Sequence, residues 1–361
     1  MSDPLAPGAT IGILGGGQLG RMLALSAAPL GLKCHIYCPD KTSPAFDVSN
    51  RHTCAAYEDM DALAAFAASV DVVTYEFENV PDAAAAQLSS QVPVYPDPSI
   101  LTITQDRASE KRFLENLGVV VANWAVVDSL DDLEAAVEKI GRPSVLKTRR
   151  FGYDGKGQTT IGPESDLAEA HEAIGKAPAV LEAMVPLTCE VSLIGARTPF
   201  GAFKAYDVAE NLHENHILKT STVPASISPD LQVHAFEMGQ KIANAFDYVG
   251  VLGVELFVTG EGDEARLLVN EIAPRVHNSG HWTQDACAVS QFEQHIRAIA
   301  GWPLGDTARH SDVVMTNLLG DEVDSWAELA THAATGMHIY GKAEARPGRK
   351  MGHINALSNM R

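Results

Sequence analysis

The segment Thr10-Ile-Gly-Ile-Leu-Gly-Gly-Gly-Gln-Leu-Gly20 decides the N-terminal fold, because it leads from an apolar strand through a glycine turn towards a helix. Residues 10–14 are the predicted strand, residues 21–30 the predicted helix, and Gly31 is suited to cap that helix. Further strands are expected at residues 33–38, 71–75 and 92–95. Strands that alternate with helices predict a parallel, doubly wound sheet.

The glycine turn at residues 15–20 has the G-x-G-x-x-G spacing of a dinucleotide-binding fingerprint, and Asp40 follows about twenty residues later. A nicotinamide-dependent oxidoreductase is therefore one hypothesis. The physical requirement is less specific, since backbone N–H groups at a helix N-terminus stabilise any phosphate. A sugar phosphate could use the same turn, with Gln18 and Arg21 as additional donors.

Length and charge restrict the class of protein. The 361 residues exceed what one hydrophobic core serves, so more than one domain is expected. The net charge of −19 argues against nucleic-acid binding, and no apolar run approaches the roughly 18 residues of a membrane span. The N-terminus lacks the pattern of a secretory signal and the cysteine count of five is odd, so we expect a cytoplasmic protein.

The remaining chain predicts two further units. Thr104 is expected to cap a helix that ends near Leu117, before Gly118. A small α+β unit follows, with strands at residues 119–127, 144–147, 159–161 and 179–182 and helices at 130–140 and 165–174. Longer, antiparallel strands are then expected at residues 190–194, 201–208, 250–258 and 265–272, with a helix at 231–246 and a strand-rich tail at 339–357. The predicted domains are residues 1–103, 104–185 and 186–361, the last including a small basic subdomain from about 305.

A second glycine-rich segment, RFGYDGKGQ at residues 150–158, lies between two predicted strands. It is not a Walker loop, because no Ser or Thr follows Lys156 and no helix begins there. Its glycines let the backbone approach phosphate oxygens, and Lys156 together with Lys147 on the preceding strand supplies positive charge. An ordinary flexible hairpin is the alternative, but Tyr153 and Asp154 inside the loop favour a functional one.

Glu255 and Glu271 each interrupt an apolar strand with a charge that is costly to bury without a partner. Across an antiparallel hairpin they could share Mg²⁺, which prefers carboxylate and phosphate oxygens. The alternative is that each forms a salt bridge, for example with Arg275 or Lys241. The predicted phosphate-binding loop in the same chain favours the metal site.

Two more segments carry polar groups suited to an anionic substrate. In residues 273–282 the candidate donors and acceptors are Arg275, His277, Asn278 and Ser279. The i, i+4 spacing of His277 and His281 could indicate zinc, but Gly280 disfavours the helix that such a pair needs. The tail from residue 340 to 361 has five basic residues against one acidic residue, which indicates a solvated tail or a pocket for a small anion.

Together these segments resemble the 5-(carboxyamino)imidazole ribonucleotide synthase family of bacterial purine biosynthesis, a branch of the ATP-grasp superfamily. The matching strings are GGGQLGRM from residue 15, TYEFENVP from 74, QDR from 105, FGYDGKGQ from 151, YVGVLGVELF from 248, NEIAPR from 270, HNSGHWT from 277 and GRKMGHI from 348. The resemblance implies the ATP-grasp fold: a Rossmann-like parallel-sheet domain, a small lid domain and an antiparallel-sheet C-terminal domain.

The resemblance also implies a reaction. ATP, bicarbonate and aminoimidazole ribonucleotide give the N-carboxylated ribonucleotide, ADP and phosphate through carboxyphosphate, with Mg²⁺ as cofactor and a homodimer as the assembly. Carboxyphosphate is labile in water, so a closing lid is expected. The alternatives are another ATP-grasp ligase, such as formate-dependent glycinamide ribonucleotide transformylase or a biotin-carboxylase relative, the nicotinamide oxidoreductase, and a non-catalytic nucleotide-binding protein.

Site residues follow from the same resemblance. The implied ATP-binding residues are Arg107, Lys147, Gly152, Tyr153, Asp154, Gly155, Lys156, Gly157, Gln158, Glu182, Ala183, Met184, Val185, Glu190, His213, Asn270 and Glu271. The implied ribonucleotide-binding residues are Gly17, Gln18, Leu19, Glu76, Tyr153, Asp154, Arg275, His277, Asn278, Ser279, Arg349 and Lys350. Tyr153, Asp154, Arg275 and His277 are the implied catalytic residues, and Glu255 and Glu271 the implied Mg²⁺ ligands.

Overall fold

The computed structural model describes residues 3–152 and 155–360. Its N-terminal part contains β1 (Thr10–Leu14), α1 (Gln18–Ala27), β2 (Lys33–Tyr37), β3 (Arg51–Thr53), α2 (Met60–Ala67), β4 (Val72–Tyr75) and α3 (Asp82–Ser89), with 3₁₀ turns at Ala28–Leu30 and Phe46–Val48. The strands form a parallel sheet in the order β3-β2-β1-β4. The predicted parallel sheet is therefore confirmed, and Gly31 caps the end of the first helical segment with a positive φ of 72°.

Two local predictions in this part are wrong. Residues 92–95 form only an isolated parallel bridge, from Val94 to Val73, because Pro93 and Pro96 have no N–H with which to continue a ladder. The first helix begins at Gln18 rather than at residue 21, directly after the glycine turn.

The middle part contains α4 (Pro98–Thr104), α5 (Arg107–Asn116), β5 (Trp124–Val127), α6 (Leu130–Ile140), β6 (Ser144–Thr148), β7 (Gln158–Ile161), α7 (Leu167–Ala173) and β8 (Ala179–Ala183). Its antiparallel sheet has the order β5-β8-β6-β7, and we call it the lid sheet. Thr104 does not cap α5 but ends α4, which the sequence did not predict. Asp106 is the cap and accepts the Ser109 N–H at 2.9 Å, since Asp is at least as good an N-cap as Thr.

The C-terminal part is built on a nine-stranded antiparallel sheet, which we call the large sheet. Its elements are β9 (Leu187–Arg197), β10 (Phe203–Ala205), β11 (Ala209–Glu214), β12 (Ile217–Val223), α8 (Pro229–Ala245), β13 (Gly250–Thr259), β14 (Arg266–Ala273), α9 (Thr283–Ala286), α10 (Gln291–Ile299), β15 (Asp312–Leu319), α11 (Trp326–Leu329), β16 (Thr335–Ile339) and β17 (Lys350–Ser358). Short 3₁₀ turns lie at Gly262–Glu264, Asn278–Gly280 and Gly320–Ser325. The tail continues the large sheet, because β15 pairs with β12.

One hydrophobic core joins the parallel sheet to the large sheet. It contains Met22 and Leu23 of α1, Phe292 and Ile296 of α10, and the fully buried Trp282. This packing fixes the glycine turn before α1 relative to the segment that follows β14. None of the helices in the described part of the chain combines the length and the apolarity that a membrane span requires.

Candidate active site

Two adjoining cavities lie where the parallel sheet, the lid sheet and the large sheet meet. The N-terminal cavity has a volume of about 410 Å³ and is lined by the glycine turn, the residues after β4 and the segment after β14. The lid cavity has a volume of about 470 Å³ and lies between the lid sheet and strands β13 and β14. Four residues line both cavities: Arg107, His213, Glu255 and Glu271.

Most of the predicted ribonucleotide-binding residues line the N-terminal cavity. These are Gly17, Gln18, Leu19, Glu76, Arg275, His277, Asn278 and Lys350. The cavity lining does not include two further residues of the predicted set: Ser279 is fully buried, and Arg349 Nη1 donates to the Glu344 carbonyl at 2.9 Å. The Asn278 amide forms a reciprocal pair with that of Asn317, at 3.0 and 2.8 Å. Tyr153 and Asp154 lie outside the described residues.

Glu76 occupies part of the helix terminus at which the sequence predicts a phosphate. Its carboxylate accepts the N–H groups of Gly17 and Gly20, the second at 2.5 Å. Burial raises the pKa of Glu76, an effect that these two hydrogen bonds oppose. Glu76 accepts neither the Gln18 N–H nor the Leu19 N–H, and both of these residues line the cavity.

The structure also gives no support to Asp40 as the acid of a dinucleotide-binding site. Asp40 is exposed and its Oδ1 accepts both the N–H and the hydroxyl of Thr42 at 2.9 Å. Arg21, predicted as an additional donor, instead donates to the Pro44 carbonyl at 3.0 Å. The G-x-G-x-x-G turn thus donates two of its N–H groups to Glu76, and Asp40 is engaged by Thr42.

Arg275 is held by a side chain that the sequence did not single out. Its Nε and Nη2 donate to the two carboxylate oxygens of Glu78, the second at 3.1 Å, so that the pair is bidentate. Although burial opposes it, Glu78 raises the pKa of the Arg275 guanidinium, and Arg275 lowers that of Glu78. The available signal was the position of Glu78 two residues after Glu76, in the string TYEFENVP.

The carboxylates of Glu255 and Glu271 lie on directly opposed residues of β13 and β14. The register shifts beside this pair, which leaves Asn270 as the extra residue of a β-bulge. Asn270 Nδ2 donates to Glu255 Oε2 at 3.3 Å, and Arg107 Nη1 donates to Glu271 Oε2 at 3.1 Å. Among the described residues, Glu271 thus pairs with Arg107, and Glu255 Oε1 lies 3.1 Å from His277 Nε2; neither acid pairs with Arg275 or Lys241.

The oxygen atoms at this pair fit a hard divalent cation. Asn270 Oδ1 is buried and accepts no hydrogen bond from the described residues, while Nδ2 of the same amide donates to Glu255. Two carboxylates and an amide oxygen are the ligands that Mg²⁺ prefers. The alternative zinc site is not supported, since no group of three or more His, Cys, Asp and Glu among residues 3–152 and 155–360 is arranged around a metal position. His281 is buried, with Nδ1 3.0 Å from Gln291 Nε2.

The lid cavity collects most of the predicted ATP-binding residues. Those that line it are Arg107, Lys147, Gly155, Lys156, Gln158, Glu182, Ala183, Met184, Val185, Glu190, His213, Asn270 and Glu271. Gly152 lines the N-terminal cavity instead, and the lining of neither cavity includes Gly157, whose carbonyl accepts the Thr148 N–H at 2.7 Å. Within the lining of the lid cavity, His213 Nδ1 lies 2.8 Å from Glu190 Oε2. Burial lowers the pKa of His213, but the hydrogen bond to Glu190 raises it above its usual value.

Glu182 links two lysines across the wall of the lid cavity. Lys147 Nζ lies 3.0 Å from Glu182 Oε2, and Lys111 Nζ lies 3.2 Å from Glu182 Oε1. Burial alone would raise the pKa of Glu182, but Lys147 and Lys111 lower it to about 2. The sequence did not predict a role for Lys111, which is almost completely buried.

Glu110 is a further buried acid that the sequence did not single out. Its Oε1 accepts the Ile272 N–H at 2.6 Å, and the residue lines the N-terminal cavity. Burial, together with the negative charge of Glu271, raises the pKa of Glu110 to about 8. The available signal was helical spacing: Arg107, Glu110 and Lys111 stand at i, i+3 and i+4 and share one face of α5.

Family models match most of the chain. They are a ribonucleotide synthetase preATP-grasp domain at residues 8–105, an ATP-grasp domain at 112–292 and a phosphoribosylaminoimidazole carboxylase C-terminal domain at 313–361.

Whole-length relatives have the same arrangement. The N5-carboxyaminoimidazole ribonucleotide synthase of Brucella melitensis is 52% identical over 98% of this chain and 97% of its own length. That of Bacillus subtilis is 43% identical over 97% of this chain and 92% of its own. A crystal structure of an ADP complex of such an enzyme superposes with a TM-score of 0.96 at 42% identity, covering 100% of this chain and 95% of the other. The Aspergillus clavatus enzyme, solved with ADP and 5-aminoimidazole ribonucleotide, gives 0.90 at 30% identity, covering 98% and 94%.

These matches agree with the three-sheet architecture and with the two cavities that share a pair of opposed acids. The predicted family and the predicted ATP-grasp fold are confirmed, and the nicotinamide oxidoreductase hypothesis is wrong. The chain belongs to the N5-carboxyaminoimidazole ribonucleotide synthase family of ATP-grasp ligases.

Proposed function

We propose that this chain carboxylates the amine of 5-aminoimidazole ribonucleotide with bicarbonate, at the expense of ATP, and releases ADP and phosphate. The observation that carries the proposal is the pair of adjoining cavities with Arg107, Glu255 and Glu271 in their common wall. Such a wall lets a phosphate bound on one side meet a substrate bound on the other. The solved complex of the Aspergillus clavatus relative with ADP and the ribonucleotide supports the same assignment.

The lid cavity is suited to ATP. Backbone groups of residues 182–185 line one end of it and can read the adenine edge, while Glu190 can accept hydrogen bonds from ribose hydroxyls. Arg107, Lys147 and Lys156 line it as well and supply positive charge for the phosphates. Gly152, Gly157 and the loop residues Tyr153 and Asp154 remain proposed contacts of a closing lid.

Glu255 and Glu271, with Asn270 Oδ1, would hold Mg²⁺ at the wall between the cavities. When bound there, the ion would offset the negative charge of the phosphates and hold them in a fixed geometry. The contacts already present at both acids serve a related purpose. Arg107 stabilises the carboxylate of Glu271 through its charge, and His277 Nε2 stabilises that of Glu255 by a hydrogen bond.

The N-terminal cavity is suited to the ribonucleotide. Lys350 and the amides of Gln18 and Leu19 are positioned to bind a 5′-phosphate, and Glu76 can accept a hydrogen bond from a hydroxyl or amine. Arg275 and His277 line the end of this cavity that adjoins Glu255 and Glu271. We propose that bicarbonate and the amine meet at this end.

The reaction needs ATP because bicarbonate is a poor electrophile until one of its oxygens becomes a leaving group. Transfer of the γ-phosphoryl group to bicarbonate gives carboxyphosphate and ADP. The carboxyphosphate C–O bond then breaks, phosphate leaves, the amine nitrogen bonds to the carbon and loses a proton. Arg107 and Arg275, which line the N-terminal cavity, can stabilise the anionic groups in this sequence. Closure of the proposed lid would keep water from the labile intermediate.

The assembly and the location remain predictions. The family resemblance favours a homodimer in the cytoplasm, and sedimentation equilibrium of the purified protein would test the first part. A single species of 38.5 kDa at micromolar concentration would contradict it.

ADP release tests the proposed function directly. The purified protein is mixed with ATP, Mg²⁺, bicarbonate and 5-aminoimidazole ribonucleotide, and each component is omitted in turn. We expect ADP formation to need all four, because the nucleotide and the ribonucleotide occupy separate cavities with one shared wall. ADP formed at the full rate without bicarbonate and ribonucleotide, or restored by formate with glycinamide ribonucleotide, would contradict the assignment.

A further inference from the structure

Two buried serines form a series of hydrogen bonds that ends at the ring of His277. Ser279, in the 3₁₀ turn Asn278–Gly280, places its hydroxyl oxygen 2.9 Å from His277 Nδ1. Ser192, on β9, places its hydroxyl oxygen 2.6 Å from that of Ser279. Both serines are completely buried, and the lining of neither cavity includes them. Their hydroxyls are therefore poorly placed to contact a substrate, but they contact a residue that lines the substrate cavity.

Two hydrogen bonds of this turn act on Nδ1 of His277. The Ser279 N–H is directed at His277 Nδ1 at 3.4 Å, and an amide N–H can only donate a hydrogen bond. At this length the bond is weak, so it favours an accepting Nδ1 without deciding it; the Ser279 hydroxyl, at 2.9 Å, decides it by donating. The proton of the neutral imidazole is then on Nε2, which lies 3.1 Å from Glu255 Oε1 and can donate to it.

Ser192 completes this arrangement. When the Ser279 hydroxyl donates to His277 Nδ1, its oxygen is left in a buried position with its own lone pairs to satisfy. The Ser192 hydroxyl donates to that oxygen. The hydrogen bonds thus run from Ser192 through Ser279 and His277 to Glu255. Ser192 and Glu255 are also directly opposed in the pairing of β9 with β13, so this pair of strands positions the first and the last residue of the series.

The backbone of His277 is fixed independently. Gln291 accepts the His277 N–H at 2.9 Å and donates to the His277 carbonyl at 2.7 Å. A Cβ added at Gly253 would lie 2.8 Å from His277 Cβ, so the backbone of β13 packs directly against the His277 side chain. With the backbone held, the side-chain hydrogen bonds decide the tautomer and the rotation of the ring.

We propose that Ser192 is a positioning residue that, through Ser279, fixes His277 in its Nε2–H tautomer. The imidazole then acts as a hydrogen-bond donor to Glu255 and keeps one carboxylate oxygen occupied, while the other oxygen lies towards Asn270. The effect on turnover rests on the proposed function, whereas the tautomer does not.

The test uses the full-length protein labelled with ¹⁵N at histidine. The His277 ring signals are assigned by their loss in His277→Asn, and long-range ¹H–¹⁵N spectra then report the protonation of each nitrogen. We expect a pyridine-type Nδ1 and a pyrrole-type Nε2 in the wild type. In Ser192→Ala the two signals should move towards each other, because the Ser279 hydroxyl is free to rotate.

Turnover gives a second readout. Ser192→Ala should lower kcat about 10-fold, at the lower end of the range for residues that hold a functional side chain by a hydrogen bond. The KM for ATP should change less than about twofold. The double variant Ser192→Ala/Ser279→Ala should be no slower than Ser279→Ala alone, because Ser192 acts only through Ser279. Ser221→Ala is the matched control: Ser221 is also fully buried in the large sheet, and its hydroxyl donates to Asn211 Oδ1 at 2.7 Å.

Unchanged His277 ring signals in Ser192→Ala would overturn the proposal. So would an equal loss of kcat in Ser221→Ala, because the loss would then reflect a generic defect of the sheet. If Ser192→Ala does not fold, the ring signals of Ser279→Ala decide in its place. If the ring signals move as expected but the wild type does not carboxylate the ribonucleotide, the positioning role stands and the proposed function fails.

Discussion

At the scale of single residues, α5 carries three functional groups on one face. Arg107 pairs with Glu271, Glu110 accepts the Ile272 N–H, and Lys111 pairs with Glu182. Helical spacing placed these side chains together, and the sequence contained that spacing. It did not contain the identity of their partners, because Glu182 and Glu271 come from two different sheets more than 70 residues further along the chain.

The raised pKa of Glu110 predicts a pH dependence of stability. The native carboxyl has a pKa of about 8 against 4.5 for the unfolded chain, so the native state binds more protons between these values. The contribution of Glu110 to the free energy of unfolding is therefore complete below about pH 4.5 and is lost as the pH rises through 8. The loss is on the order of a few kcal/mol. We expect Glu110→Gln to remove this loss.

Thermal unfolding midpoints at pH 5, 7 and 9 measure the effect of Glu110→Gln. Glu134→Gln, a substitution at an exposed position of α6, is the control and should follow the wild type. Parallel pH profiles of the wild type and Glu110→Gln would contradict the prediction.

Glu271→Gln keeps the size of the side chain and removes its charge. We expect kcat to fall by more than about 100-fold, beyond the range for outer-shell partners, because a proposed cation ligand and the partner of Arg107 are lost together. The far-ultraviolet circular dichroism spectrum should match that of the wild type. Turnover with the wild-type dependence on Mg²⁺ would show that Glu271 does not hold the ion.

At the scale of elements, the start of β17 separates two adjacent basic residues. Lys350, the first residue of the strand, lines the N-terminal cavity, whereas Arg349 lies outside the lining and donates to the Glu344 carbonyl. The sequence predicts a basic tail but does not assign each residue to a side, since the strand boundary decides which side chain faces the cavity. Among residues 340–360, Lys350 is therefore the one that lines the N-terminal cavity.

This separation predicts unequal effects of two alanine substitutions. Lys350→Ala should raise the KM for the ribonucleotide by about 10-fold or more, the loss expected from one charge-assisted hydrogen bond, with little effect on the KM for ATP. Arg349→Ala should change both values by less than about twofold. Steady-state kinetics with each substrate varied in turn measure this, and equal effects of the two substitutions would remove Lys350 from the proposed phosphate contact.

The elements that the sequence predicted well have strong local signals. Helix α6 has the predicted bounds of 130 and 140, with Ser129 as its cap and an apolar face. Strand β3 has only three residues, all polar or exposed, and strands β11 and β12 are joined by a turn without glycine or proline at residues 215 and 216. Periodicity identifies neither kind of strand, because pairing in the folded sheet, not apolar patterning, stabilises them.

At the scale of the whole molecule, the wall between the two cavities should couple their ligands. Both cavities are lined by Arg107, His213, Glu255 and Glu271, so a nucleotide in the lid cavity would contact groups that a ligand of the N-terminal cavity would also contact. The sequence predicted most residues of each cavity through the family resemblance. It did not predict that the cavities share a wall, because the shared residues come from α5, β11, β13 and β14.

We expect saturating ADP with Mg²⁺ to lower the Kd of the ribonucleotide about fivefold or more, and the ribonucleotide to lower the Kd of ADP by the same factor, as linkage requires. Isothermal titration calorimetry in both orders measures the two factors. Arg107→Ala should reduce the coupling, while Arg349→Ala should preserve it. Identical affinities with and without the other ligand would show that binding in one cavity does not affect binding in the other.

The carboxylate of Glu76 at the start of α1 acts as a counterion supplied by the fold itself. Because this carboxylate already accepts two of the N–H groups of the turn, fewer donors remain for a ligand, which suits a single phosphate group better than the two linked phosphates of a dinucleotide. The glycine turn can thus keep the shape of a dinucleotide site and still select against dinucleotides.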